Sequence, residues 1–141
     1  MNIYPVDENN FSKAIALIKI NGLPTEDISD GTKLFALVEY NRVIGTVGIE
    51  FYDTVALLRS LVITQEKRNS GLGQQLVSFI EDFAKKNGAR ELVLLTTTAE
   101  SFFIKNAYQS IERNNIPEQI KKSSEFSYTC PSSATVMKKF L

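Results

Sequence analysis

The hexapeptide Arg68-Asn69-Ser70-Gly71-Leu72-Gly73 is the segment whose residue types and spacing point most directly to chemistry. Two glycines where a helix begins let the backbone approach a ligand closely. The first turn of a helix carries N–H groups without intrahelical partners, and the helix dipole adds positive character there. Together these features make an anion site suited to a pyrophosphate. Arg68 can add a charge-assisted contact to phosphate. Two other phosphate loops compete for this reading. A Walker loop needs Gly-x4-Gly-Lys-Ser/Thr, and no such run occurs. A dinucleotide loop needs a further glycine or alanine where this chain has Leu76. The plainer alternative is a glycine-containing connection between a strand and a helix, with no ligand.

Other chemistry is excluded by composition. The chain has no histidine and one cysteine, Cys130. Ser-His-Asp and Cys-His nucleophiles are therefore ruled out, as are a structural zinc site of the usual type and an internal disulfide. No metal site is expected. Acid–base work must fall to Glu, Asp, Tyr, Lys, water or the backbone. Sixteen Lys and Arg balance sixteen Asp and Glu, so no basic field exists for nucleic acid or an anionic membrane. No run nears the ~18 apolar residues of a membrane span, and the N-terminus lacks a secretory pattern. A cytoplasmic location and one domain over residues 1–141 are the expectations.

The elements that must position the loop follow from periodicity. Asn2 to Pro5 reads as a strand. Phe11, Ala14, Ile15 and Ile18 recur at helical spacing, with Asp7 or Asn9 as cap and Asn21-Gly22 as stop. The polar stretch Leu23 to Thr32 has room for one short helix. Leu34 to Glu39, Val43 to Phe51 and Val55 to Thr64 read as an antiparallel meander, with turns at Tyr40-Asn41-Arg42 and Tyr52-Asp53-Thr54. A helix beginning near Gly71 buries Leu72, Leu76, Phe79, Ile80 and Phe83, places Glu81–Lys85 and Asp82–Lys86 on its wet face, and ends at Asn87-Gly88. Glu91 to Thr96, with four consecutive aliphatics, reads as a strand buried on both faces in a parallel pair. A helix over Ala99 to Asn106, a strand over Tyr108 to Arg113, a helix opened by Pro117 and a strand over Ala134 to Phe140 complete the chain. The expected fold is α/β, a mixed central β-sheet with helices on both faces.

Arg68-x-x-Gly71-x-Gly73, following Leu57-Leu58-Arg59-Ser60-Leu61-Val62-Ile63, resembles the acyl-CoA pyrophosphate loop of the Gcn5-related N-acetyltransferase (GNAT) superfamily. The element order is similar over nearly the whole chain. The resemblance implies acetyl-CoA as co-substrate and direct attack of a neutral amine on the thioester. It implies pantetheine contacts at Leu61, Val62 and Ile63 and pyrophosphate contacts at Arg68, Asn69, Ser70, Gly71, Leu72, Gly73 and Gln74. A narrower set of strings resembles the arsenic-resistance N-acetyltransferase branch: Leu23-Pro24-Thr25-Glu26-Asp27, Leu57 to Val62, Leu95 to Phe103, and Cys130-Pro131-Ser132-Ser133-Ala134. A single cysteine does not suit capture of trivalent arsenic, and Cys130 beside Pro131 reads as a packed turn.

Direct transfer needs a route for the ammonium proton, an N–H for the oxyanion and a proton for the departing thiolate. A backbone N–H near Leu61 or Val62 serves the second. For the third, many relatives use a Tyr where this chain has Phe103, and an Asn where it has Thr96. Thr96, Thr97, Ser101 or water are the substitutes, or the product ammonium supplies the proton, and loss of activity is the alternative. Phe102 reads as core or as a wall for the pantetheine. Glu50 is the first candidate base, against a solvated strand-end carboxylate. Arg59 interrupts an apolar strand and needs a partner. It either binds an anionic group of the acceptor or pairs structurally with Glu50 or Glu39. Ser60 either orients the substrate or satisfies the backbone. A small, anionic, amino-acid-like amine, such as an arsenic or phosphinic compound, is the expected acceptor. A protein amine and an inactive CoA-binding module are the alternatives. The resemblance also allows a homodimer built through the C-terminal strand.

Overall fold

The computed structural model describes residues 2–29, 31–121 and 134–141. The chain runs β1 (Asn2–Pro5), α1 (Phe11–Ile20), β2 (Thr32–Glu39), β3 (Arg42–Tyr52), β4 (Val55–Ile63), α2 (Leu72–Lys86), β5 (Glu91–Thr96), α3 (Glu100–Lys105), β6 (Gln109–Ile111), α4 (Glu118–Lys121) and β7 (Thr135–Phe140). The seven strands form one sheet in the order β1-β2-β3-β4-β5-β7-β6. Four strands make an antiparallel meander, β4 and β5 are parallel, and β5, β7 and β6 are antiparallel. The parallel pair exists because α2 carries the chain back across the sheet in one crossover.

Helices cover both faces. Leu72, Leu76, Val77 and Ile80 of α2, with Phe103 of α3, pack on Val47, Ile49, Ala56 and Leu58. Ala14 and Ile18 of α1 pack on Leu34 and Val62, and Ile120 of α4 on Val55, Leu57 and Val93. Phe79 and Phe83 are only partly buried and meet Phe35 edge-on, at 4.9 and 5.0 Å between centroids. The alternation of strand residues thus feeds two cores from one sheet.

Three expectations change in the details. No helix forms among the described residues between Leu23 and Thr32. That segment turns at Thr25–Ile28, where the Ile28 N–H donates to the Thr25 carbonyl, and a buried arginine holds it from below. Glu81 does not face water beside Lys85; it accepts from the Tyr108 hydroxyl (2.8 Å) and from Lys139 (3.0 Å). The strand expected over Tyr108 to Arg113 keeps only Gln109–Ile111, with the buried Tyr108 packed edge-on against Phe103 instead. The turn expected at Cys130-Pro131 lies outside the described residues. No helix among the described residues is long and apolar enough to cross a membrane.

Candidate active site

The site begins with a fault in the sheet. Strands β4 and β5 pair only from Val55–Glu91 to Leu57–Val93. Beyond that point they part, and a cavity of about 470 Å³ opens between Leu58–Ile63 and Leu94–Thr96. A bulge in β4 accompanies the parting. Thr46 stands opposite Val62 and Gly48 opposite Arg59, so Ser60 and Leu61 both face Val47. Ser60 takes φ 57° to make this turn. A non-glycine residue there is strained, and bulges of this kind bend a strand next to a functional site. The buried Thr46 hydroxyl donates to the Ser60 carbonyl at 2.7 Å and fixes the bulge. Backbone groups along the parted edges need partners, which an extended chain bearing amides could provide.

A second cavity, of about 460 Å³, lies where β4 gives way to α2. Asn69 (φ 62°) and Gly71 (φ 83°) turn the chain into the helix, and the Ser70 hydroxyl donates to the Lys67 carbonyl within the turn. No side chain caps α2, so its first N–H groups remain available. A Cβ on Gly71 would meet no protein atom within 4 Å, but its left-handed φ disfavours any branched residue. Gly73 is different: a Cβ there would lie 3.2 Å from the Phe102 ring, so this glycine lets α3 close against α2.

The proposed contact residues divide between the cavities. Arg59, Ser60, Val62 and Thr96 line the first; Asn69, Gly71, Leu72, Gly73, Gln74 and Phe102 line the second. Leu61, Ile63 and Arg68 line both. Ser70 shapes the turn, and Ser101 is exposed and lines neither cavity. Thr96 Oγ1 accepts from the Ala99 N–H at 2.9 Å, which joins the end of β5 to the start of α3. Phe103 lines the first cavity at the position where relatives were expected to carry a tyrosine.

Arg59 and Glu50 form a buried cluster on the α1 side of the sheet. Both terminal nitrogens of Arg59 meet Asp27, each at 2.7 Å, and Nη1 also meets Glu50 at 2.9 Å. Arg59 donates further to the Pro24 carbonyl and to Ser60 Oγ, each at 3.3 Å. Glu50 Oε2 also accepts from Thr32 at 2.6 Å, and Oε1 accepts from Tyr52 at 2.7 Å. Burial, reinforced by this carboxylate, pushes the Tyr52 hydroxyl well above its ordinary pKa, so it remains a donor. Glu50 lines neither cavity. Glu39 pairs elsewhere, with Lys67 at 2.9 Å.

Sequence reasoning passed over Asp27, Thr46 and Asn21. An arginine in an apolar strand announces that a carboxylate exists, but not that it comes from a loop far away in the chain. Thr46 had no signal, because threonine is ordinary in strands. Asn21 was read only as a helix stop, yet its side-chain oxygen accepts from Arg68 at 2.7 Å.

The model of the acetyltransferase (GNAT) family matches residues 7–110. The chain belongs to the GNAT acetyltransferase family. A similar protein, described as an uncharacterised N-acetyltransferase of Chlorobaculum tepidum, is 34% identical over 97 residues, covering 67% of this chain and 62% of that one. The chain thus spans less than two thirds of that relative's length. Among solved GNAT-like folds, an acetyltransferase of Staphylococcus aureus superposes with a TM-score of 0.77 at 17% identity, covering 99% of this chain and 98% of its own. A Mycobacterium tuberculosis protein solved with CoA gives a TM-score of 0.82 at 14% identity, covering 100% of this chain and 99% of its own. N-acetylglutamate synthase of Neisseria gonorrhoeae, solved with CoA and N-acetyl-glutamate, gives 0.80 at 16% identity, covering 99% of this chain and 35% of its own. These likenesses show the GNAT fold.

Proposed function

We propose that the protein transfers an acetyl group from acetyl-CoA to the primary amine of a small molecule. The parting of β4 from β5, directly above an uncapped helix N-terminus, carries this reading. The parted strands offer backbone groups to the two amides of a pantetheine arm, and the α2 turn offers N–H groups to its pyrophosphate. Acetyl-CoA supplies an activated thioester; attack by the amine forms an N–C bond and releases the thiol. Family membership and relatives solved with CoA support the same donor.

The chain's own residues suggest how protons move. Thr96 Oγ1 already accepts an N–H, so its own hydrogen is free to be donated towards the sulfur. Thr97 also lines the cleft and supplies a second hydroxyl. Phe103 brings no proton and fills the space with an apolar ring. Glu50 lies behind Arg59, so a role as base needs water between the carboxylate and the amine. We assign the developing oxyanion to a backbone N–H near Leu61 or Val62, beside the bulge.

The acceptor is proposed more finely from the same geometry. An amino-acid-like anion, including the arsenic and phosphinic compounds, would need a cation facing the cleft. Arg68 lines it with an exposed side chain; Arg59 also lines it, but its side chain has no exposed area and already meets Asp27 and Glu50. An anionic acceptor would therefore meet Arg68 first and would reach Arg59 only by displacing one of these carboxylates. The test is a panel of amino acids, organoarsenicals, neutral amines and lysine peptides with acetyl-CoA, read as free thiol. Turnover confined to small amines supports the proposal. Thiol release with lysine peptides alone would favour a protein acceptor, and CoA binding without release would favour an inactive CoA module.

A further inference from the structure

We propose that Asn21 is a positioning residue for Arg68, holding its guanidinium at the boundary of the two cavities in an orientation that receives the pyrophosphate. The inference rests on the acyl-CoA reading above. Asn21 follows the last residue of α1, and its side-chain amide is used at both ends. Nδ2 donates to the Leu17 carbonyl at 2.8 Å, at the open end of the helix, and this fixes which way the amide points. Oδ1 then faces across to Arg68 and accepts from Nη2 at 2.7 Å. The chain is held on either side of Asn21. Before it lies a hydrogen-bonded helix; after it, the Pro24 carbonyl and Asp27 are bound by the buried Arg59.

Arg68 itself is exposed, and a long exposed side chain would otherwise sample many rotamers. Its Nε donates to the Ile63 carbonyl at 3.1 Å, so two fixed acceptors define the plane of the guanidinium. Nη1 has no protein partner among the described residues. Arg68 lines both cavities, which leaves this nitrogen for a ligand that spans them. The chemistry of the holder also matters. An amide orients the guanidinium without neutralising it, whereas a carboxylate in its place would compete with phosphate for the same charge. Ordering the arginine before binding lowers the entropy lost when the ligand arrives.

A double-mutant cycle on the full chain tests this, with CoA as the probe and its Kd measured by calorimetry. Asn21→Ala should weaken CoA by about three- to tenfold, the range expected for one preordered charged contact. The same change made on Arg68→Ala should have almost no effect on Kd, because nothing is left to position. Asn21→Asp should weaken CoA at least as much as Asn21→Ala. A helix-cap role alone would lower the ligand-free Tm and reduce affinity equally in both backgrounds, and that result would overturn the inference. An unchanged Kd for Asn21→Ala, with Arg68→Ala weakened, would also overturn it while leaving the pyrophosphate reading in place. Unchanged affinity in Arg68→Ala would remove the role of Arg68 at the pyrophosphate, and the inference with it.

Discussion

Arg59 donates to Asp27, Pro24, Glu50 and Ser60 from a side chain with no exposed area. Its removal would leave two carboxylates below the sheet surface without their cation. Arg59→Leu is expected to cost about 3–5 kcal/mol of stability, the range for breaking a buried pair, and to lower Tm accordingly in a thermal melt. Arg59→Lys keeps the charge but loses the two-pronged match to Asp27, so a smaller loss should appear in the same measurement. Tyr108 makes a separate prediction in pH. Burial, and then the Glu81 carboxylate, push its hydroxyl far above the ordinary tyrosine range. The unfolded chain loses this proton near pH ~10 while the folded chain retains it. Stability from Tyr108 is thus full below that pH and declines as pH rises above it. Tyr108→Phe should flatten that alkaline decline in denaturant titrations between pH 9 and 11.

At the scale of elements, the bulge in β4 accompanies the opening of the cleft. Thr46 reaches from β3 to hold the Ser60 carbonyl, and both groups are buried. Thr46→Val keeps the shape and strand preference but leaves that carbonyl without its donor. The expected stability cost is about 1 kcal/mol, with a larger relative loss of CoA affinity because the strained φ of Ser60 loses its support. Equal affinity in the variant and the parent would show that the bulge holds itself. The bulge was not legible in the sequence, since Arg59-Ser60-Leu61 contains no glycine to mark it. The strands and helices themselves were. Tyr40-Asn41 and Asp53 take positive φ in their turns, as tight hairpins require, and Asn21-Gly22 and Asn87-Gly88 end their helices. The short helix expected after Gly22 failed for a tertiary reason: Arg59 fixes the Pro24 carbonyl and Asp27 in a turn.

Across the whole molecule, the glycine turn into α2 was legible because its requirement is local: glycine, a positive φ and a helix start within a few residues. The Arg59 cluster and the cleft were not, because they depend on which distant carboxylates meet Arg59 and on how far β5 departs from β4. Both are properties of the assembled sheet. The proposed acetyl-CoA site therefore provides the most direct test. If CoA binds the folded chain with micromolar affinity, a hundredfold excess over Kd stabilises it by about 2.7 kcal/mol through mass action. The decisive measurement is a thermal melt of the wild-type protein and of Gly71→Val with and without 1 mM CoA, a concentration on the order of 100 Kd for such affinity. The wild type should rise by several degrees. Gly71→Val should keep a cooperative melt but lose the shift, because valine disfavours φ 83° and crowds the backbone approach. A wild-type Tm that does not move with millimolar CoA would contradict acyl-CoA binding at this site.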